Sequence, residues 1–456
     1  MKAESRFVEF IPENERHGDV RNLFSVWFTV NFMLLAVVTG GLAVVFGLNL
    51  FWSIVSILLG NLIGAIFMAL HSVQGPRLGI PQMIQSRAQF GVIGAIFPLF
   101  LVILMYLGYF ASNAVLGAQA VTAGTSIPIG WSIALLSIIT FIITFYGYDM
   151  IHKLSKYVAA LLGIIFFFVT ILVFKLDFPA NTWSISDFQF APFLASVSVF
   201  ATWQLTFAPY VADYSRYLPK DTNPQKAFIY TYAGSVLSAV WMMILGASLA
   251  IAVPNFLDNA SLSLSNLVGS QWSLGMYFAI ALGIIATNVF NLYGAFMSLT
   301  TIMDTIVRIK GTIQTRFIIL FICGILGTGI AILGHGNFLE NFSNLILFLA
   351  YFLFPWTTIN LVDYYLLRHG NYNIQALFDK NGEYGRYNWK AMVAYFITIL
   401  VEIPFINTTI YQGFISKALH DIDFAWIVAL TIPGIIYYVL MKDEIKLEMV
   451  NKPTAS

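Results

Sequence analysis

Residues 200–220 read FATWQLTFAPYVADYSRYLPK. They lie in a long apolar segment that Trp203, Gln204, Pro209 and Asp213 interrupt. Proline removes a backbone donor and crowds the preceding turn, so a regular helix is not expected to pass through unbroken. Inside a bilayer, non-helical backbone survives only where protein buries it or where it lines a wet cavity. The stretch therefore reads in one of two ways: a proline-kinked packing helix, or a broken helix that presents an aromatic ring and an amide to a ligand. The rest of the chain separates the two.

Of the 456 residues, 59% are hydrophobic and 10% charged, against roughly 25% charged in soluble domains. Such a chain cannot cover its surface with polar groups, and its natural solvent is lipid. A formal net charge of +1 gives no electrostatic footprint for nucleic acid. The single cysteine, Cys323, excludes an internal disulfide. Residues 1–23 are polar and mixed in charge, as expected of a cytoplasmic tail and not of a signal peptide. No Gly-rich phosphate loop, Cys/His metal pattern or nucleophile elbow is present. The chain does not read as an enzyme.

A membrane-spanning helix needs about 20 apolar residues. Twelve such segments are expected, near 24–48, 50–71, 92–122, 128–147, 156–175, 192–215, 228–253, 273–303, 317–334, 341–366, 390–408 and 424–441. An even count puts both termini on one side. With that side taken as cytoplasmic, only Lys175 and Lys417 of the 23 basic residues fall on the other, the asymmetry that orients membrane proteins. The expected organisation is an N-terminal tail (1–23), a first five-span unit (24–175), a second (192–366), two further spans (390–441) and a cytoplasmic C-terminal tail (442–456).

Charge is scarce inside the spans. Glu402 in the eleventh is the clearest exception, while Asp213 and Asp363 lie at inner ends beside basic residues. The polar groups at mid-depth are neutral, which points to an uncharged, flat substrate. Thr29 and Asn31 lie in the first span. Tyr109 and Asn113, four apart, share one helix face of the third. Asn288 and Asn291 do so in the eighth. Trp203 and Gln204 are neighbours in the sixth, so both reach one ligand only if the backbone unwinds there. Spans 1 and 6 open the two five-span units, and interrupted segments at corresponding positions of two halves are the sequence pointer to a transport site.

At these residues the chain resembles the nucleobase:cation symporters, the purine–cytosine permeases, whose members also carry hydantoin, allantoin, uracil and thiamine. The resemblance rests on WFTVN at 27–31, GPRLGIPQMIQSRAQFG at 75–91, APYVADYSRYLP at 208–219, N-x-x-N-x-Y at 288–293 and DYYLLRHG at 363–370. It implies an all-α integral membrane protein of the LeuT type: two inverted five-helix repeats and two C-terminal helices, working by alternating access. It implies a base sandwiched between Tyr109, where the family often has Trp, and Trp203. Asn113 and Asn291 would read its edge, with Thr29 and Asn31 near it. Gln204 and Asn288 join the expected site by position. No cofactor is implied beyond a co-transported proton or sodium ion. The backbone carbonyls of Val30 and Met33 with the Thr287 hydroxyl would form a sodium site, although Ala286-Thr287-Asn288 departs from the family's Ser/Thr pair. Asp213 and Asp363 are candidate gating residues. The partners are the bilayer and a small nucleobase, with no obligate protein partner. Allantoin, hydantoin, uracil and other neutral heterocycles stay open as alternative cargo.

Overall fold

The computed structural model describes residues 9–146, 148–307, 309 and 312–451. Residues 1–8 and 452–456 of the two expected tails lie outside them, as do Arg308 and Lys310. Among the described residues no strand forms; Asn407 and Gln412 make an isolated bridge. The chain runs through α1 (Asn22–Thr29), α2 (Leu34–Val45), α3 (Leu50–Leu78), α4 (Gln82–Phe90), α5 (Ile96–Thr125), α6 (Ile129–Tyr146), α7 (Tyr148–Val173), α8 (Phe190–Leu205) and α9 (Ala208–Ser215). It continues through α10 (Pro224–Ala252), α11 (Ala260–Val268), α12 (Ser273–Val307), α13 (Ile313–Gly334), α14 (Phe338–Leu361), α15 (Trp389–Glu402), α16 (Phe414–Ala418) and α17 (Ala425–Asn451). Among the described residues, eight helical stretches are long and apolar enough to cross a membrane, or nine when the bent pair α1 and α2 counts as one.

Several boundaries differ from the sequence reading. The second segment runs on to Leu78, and the short helix α4 follows it in the stretch between the second and third expected spans. The eleventh stops at Glu402, because Pro404 turns the chain into one 3-10 turn, Ile403–Phe405. The expected N-terminal tail is a strap over its described part. Ile11 N–H donates to Gly79 O (2.9 Å) and His17 N–H to Tyr217 O (2.7 Å), while the buried Arg16 guanidinium donates to Pro76 O (2.6 Å).

Glycine sets the closest crossings. A Cβ on Gly40 of α2 would lie 1.9 Å from Met243 O, and one on Gly246 of α10 would lie 1.7 Å from Val37 O. Between α3 and α8 the same holds for Gly64, whose Cβ would lie 2.2 Å from Ala201 O. Small residues that let backbones approach are how helices associate in lipid, where tail and side chain are equally apolar. The outer face carries large exposed apolar groups, among them Trp131, Phe278 and Leu333, as a lipid-facing surface requires.

Two apolar stretches are interrupted. Between α1 and α2 the chain bends by 63° over residues 30–33. Neither proline nor glycine sits there. The Thr29 hydroxyl donates back to Ser25 O and Val26 O, Met33 N–H turns onto Asn31 O (2.8 Å), and Met33 is extended. The second break, Thr206 and Phe207, separates α8 from α9, with Pro209 in the first turn of α9. The Thr206 hydroxyl there donates to Trp203 O (2.7 Å).

Candidate substrate cavity

A cavity of about 1370 Å³ lies among α1, α5, α7, α8, α9 and α12. That exceeds the roughly 300–1,000 Å³ of an ordinary small-ligand site, so it is a site with a vestibule. Its wall reaches Asn22, Pro81, Arg216 and Thr301.

The wall includes Thr29, Tyr109, Asn113, Trp203 and Asn291 from the expected set, together with Val30, Met33, Thr287 and Asp213. Tyr109 and Asn113 reach it together because four residues make about one turn of α5. Asn113 is 1% exposed and its Oδ1 has no hydrogen-bond partner among the described residues. A buried amide oxygen left without a donor costs about 1–3 kcal/mol, so this atom, at the cavity wall, is suited to a ligand N–H. Asn291 donates through Nδ2 to Asn288 Oδ1 (3.1 Å). The Thr287 hydroxyl donates to Gly283 O (3.0 Å), which leaves its oxygen able to accept or to coordinate.

The two expected stacking rings are in contact with each other. Tyr109 and Trp203 stand at 90° with centroids 5.8 Å apart, an edge-to-face pair. Parallel faces about 7 Å apart, two contact distances of roughly 3.5 Å, would be needed to hold a flat ring between them. The sandwich is not assembled in this conformation. Tyr109 Oη–H donates to Thr206 Oγ1 (3.2 Å), and Trp203 Nε1–H to Asn31 Oδ1 (2.9 Å).

Four expected residues are not on the wall. Gln204 is fully buried on the opposite side of α8; its Nε2 donates to Asn61 Oδ1 (2.8 Å) and its Oε1 accepts from the Ser235 hydroxyl (2.6 Å). The helix continues to Leu205, so the unwinding that was to bring Trp203 and Gln204 to one ligand comes too late in the chain. Asn288 turns inward and donates to Phe110 O (2.9 Å). Asn31 lies behind the Trp203 indole. Asp363 is fully buried away from the cavity. Its carboxylate accepts from Gln89 Nε2 (2.7 Å), Tyr372 Oη (2.7 Å) and Tyr437 Oη (2.8 Å), with Arg368 Nε at 3.4 Å. It joins α4, the chain after α14, and α17. Asp213 is different: it lines the cavity, and its Oδ1 accepts from the backbone N–H of Gln82 at the start of α4 (2.8 Å). Among the described residues no group of three or more His, Cys, Asp and Glu is placed to hold a metal ion.

The model of a family described as permeases for cytosine/purines, uracil, thiamine and allantoin matches residues 10–429. The chain belongs to this permease family. It is a multi-pass membrane transporter of a small molecule and not an enzyme. The permease is 50% identical to YxlA of Bacillus subtilis, provisionally named a purine-cytosine permease, over 98% of this chain and 97% of that one. It is 30% identical to the purine-cytosine permease FCY2 of Saccharomyces cerevisiae, over 82% of this chain and 73% of that one. In fold it is similar to Mhp1 in its inward-facing conformation, with a TM-score of 0.77 at 18% identity, covering 100% of this chain and 96% of that one. Mhp1 in a closed conformation with bromovinylhydantoin bound gives 0.76 at 17% identity, over 99% and 97%. The LeuT-like architecture expected of the permease is thus its fold.

The cavity also uses residues that the sequence reading passed over. Phe207, Tyr210 and Tyr214 of the second broken stretch line it, and all three pack around the buried Trp27 at 5.5–6.3 Å. Their spacing of three and four was a legible signal. Tyr106 meets Tyr210 at 5.6 Å. Its ring occupies the space a Cβ on Gly294 would need, at 2.3 Å.

Proposed function

We propose that this permease is a secondary active symporter that imports nucleobases, cytosine or purines, across the cytoplasmic membrane by alternating access, driven by a proton or sodium gradient. The observation that carries the reading is the Asn113 amide. It is buried at the cavity wall, one turn from Tyr109, with its oxygen unpartnered. An amide both donates and accepts, which suits the mixed edge of a base. The similarity to purine-cytosine permeases supports the cargo class.

The chain crosses the membrane twelve times in this reading. The stretch Ile313–Leu367, at 55 residues, is far longer than one crossing needs and supplies two, α13 and α14. Helices α7 and α15 supply one each. Residues 24–175 and 192–366 are the two inverted repeats, each opening on an interrupted helix, and both termini are cytoplasmic. The cavity then opens inward. Tyr109 and Trp203 stack on the base, worth about 1–3 kcal/mol, with Asn113 and Asn291 at its edge and Thr29 nearby. The carbonyls of Val30 and Met33 and the hydroxyl of Thr287 are the candidate cation ligands. Asp213, tied to α4, is the candidate gate on the inner side; the buried network around Asp363 makes it a structural tie instead.

The test is uptake of radiolabelled cytosine by proteoliposomes under imposed sodium or proton gradients, competed by purines, pyrimidines, allantoin and hydantoin. Gradient-driven uptake blocked by one or two bases is the expected result. Uptake that only allantoin or a hydantoin blocks would reassign the cargo. Flux indifferent to both gradients would overturn the symporter.

A further inference from the structure

Asn31 occupies the second of the four residues between α1 and α2 and is fully buried. The indole N–H of Trp203 is a donor only, so the atom of Asn31 that meets it at 2.9 Å must be the amide oxygen. That fixes the other end: Asn31 Nδ2 donates to Ser238 Oγ (3.0 Å) and Ser235 O (3.3 Å) on α10. The backbone carbonyl of the same residue accepts Met33 N–H (2.8 Å). Side chain and turn are therefore one unit, clamped between α10 and the Trp203 ring. Val30 precedes Asn31 directly and Met33 follows it two residues on; their carbonyls are the candidate cation ligands.

The ring itself is in the wrong place for a sandwich, edge-on to Tyr109. One of the two must turn when a flat ligand enters. Tyr109 is held by one hydroxyl contact of 3.2 Å, whereas Trp203 is held through the buried Asn31 and Ser238 chain. A cation that draws in the carbonyls on either side of Asn31 reshapes the turn that carries the Trp203 acceptor.

We propose that Asn31 is a positioning residue that links the cation-binding turn to the Trp203 ring, so that ion occupancy sets the angle of one wall of the site before the base arrives. This rests on the symporter reading above. Asn31 does not touch the cargo; it transmits to the ring that does.

The experiment uses the full chain in detergent with 15N-indole-labelled tryptophan, the Trp203 signal being identified by its loss in Trp203→Phe. Sodium (against choline) and proton concentration are titrated separately, with no substrate. The wild-type Trp203 N–H signal is expected to shift with one of the two ions. Asn31→Leu abolishes that shift, and Asn31→Asp, which keeps an acceptor, retains it. In proteoliposomes, Asn31→Leu raises the KM for the base about tenfold, the loss expected when a buried donor is orphaned, and removes the dependence of KM on the coupling ion. Should Asn31→Leu fail to fold, Ser238→Ala loosens the same amide without removing its oxygen and is expected to reduce the shift. A wild-type signal blind to both ions, or an undiminished shift in Asn31→Leu (in Ser238→Ala, where that variant stands in), overturns the proposal. An ion response with no uptake of any base leaves it standing and overturns the nucleobase reading alone.

Discussion

The apolar stretch at 22–45 turns through 63° with neither proline nor glycine at its break, whereas the stretch at 190–215, which carries Pro209, runs on as a single 26-residue span. At the second break the ladder barely lapses. Thr206 N–H still reaches Thr202 O, Phe207 N–H reaches Gln204 O, and Tyr210 N–H reaches Phe207 O. At the first, the backbone is held open by what lies around it: a hydroxyl folded back on α1 and a buried asparagine tied to two other helices. Unwinding of a membrane helix follows the partners on offer to its freed groups, and a proline merely makes such partners necessary.

The largest effect should come from the crossing that braces the first break. Gly246→Leu drives a side chain into Val37 O and is expected to yield no monodisperse protein on size-exclusion chromatography. Gly329→Leu, with nothing within 4 Å of its Cβ, should purify as wild type. Equal yields would mean that α2 does not need its seat on α10. Next, Trp203→Ala should lower uptake at least fivefold, since it removes a stacking face worth about 1–3 kcal/mol. The adjacent Gln204→Ala should act on stability, orphaning Asn61 and Ser235 at a cost of about 1–3 kcal/mol, and leave the competition profile unchanged. A shifted profile in Gln204→Ala would return that residue to the site. Asn113→Ala should raise the KM for the preferred base some five- to tenfold, as loss of one buried hydrogen bond of about 1 kcal/mol or slightly more implies, and flatten discrimination among bases. Pro209→Ala should have the smallest effect, within about twofold on uptake, because Thr206 and Trp203 keep the second break without it. A collapse of transport in this variant would restore proline as the cause.

Much of this was legible in residue order. Apolar runs and the lopsided distribution of Lys and Arg give a many-spanned membrane protein, because bilayer thickness fixes helix length. Tyr109 and Asn113 fall together from helical period alone, and so would Tyr210 and Tyr214 have done. Gln204 and Asn288 were misplaced for one reason: an amide in a membrane helix has two ways to be satisfied, a ligand or another helix, and residue type does not distinguish them. Asp363 shows the same ambiguity for a carboxylate. The bend at 30–33 has no local signature, since Asn31 finds its partners on Ser238 and Trp203, both more than 170 residues away.

The cavity, at about 1370 Å³, is larger than a flat heterocycle needs. Sidedness of inhibition follows. On the alternating-access reading proposed above, a cargo analogue with a bulky substituent enters this conformation from the one side it faces and blocks the closure that would carry it across. Such a compound is a wedge whose potency depends on the compartment to which it is added. Applied to one face of a sealed vesicle it should stop the permease, and applied to the other it should compete only as well as its head group allows. The ratio of the two responses would report which way round the protein sits in the bilayer, without any label on the chain.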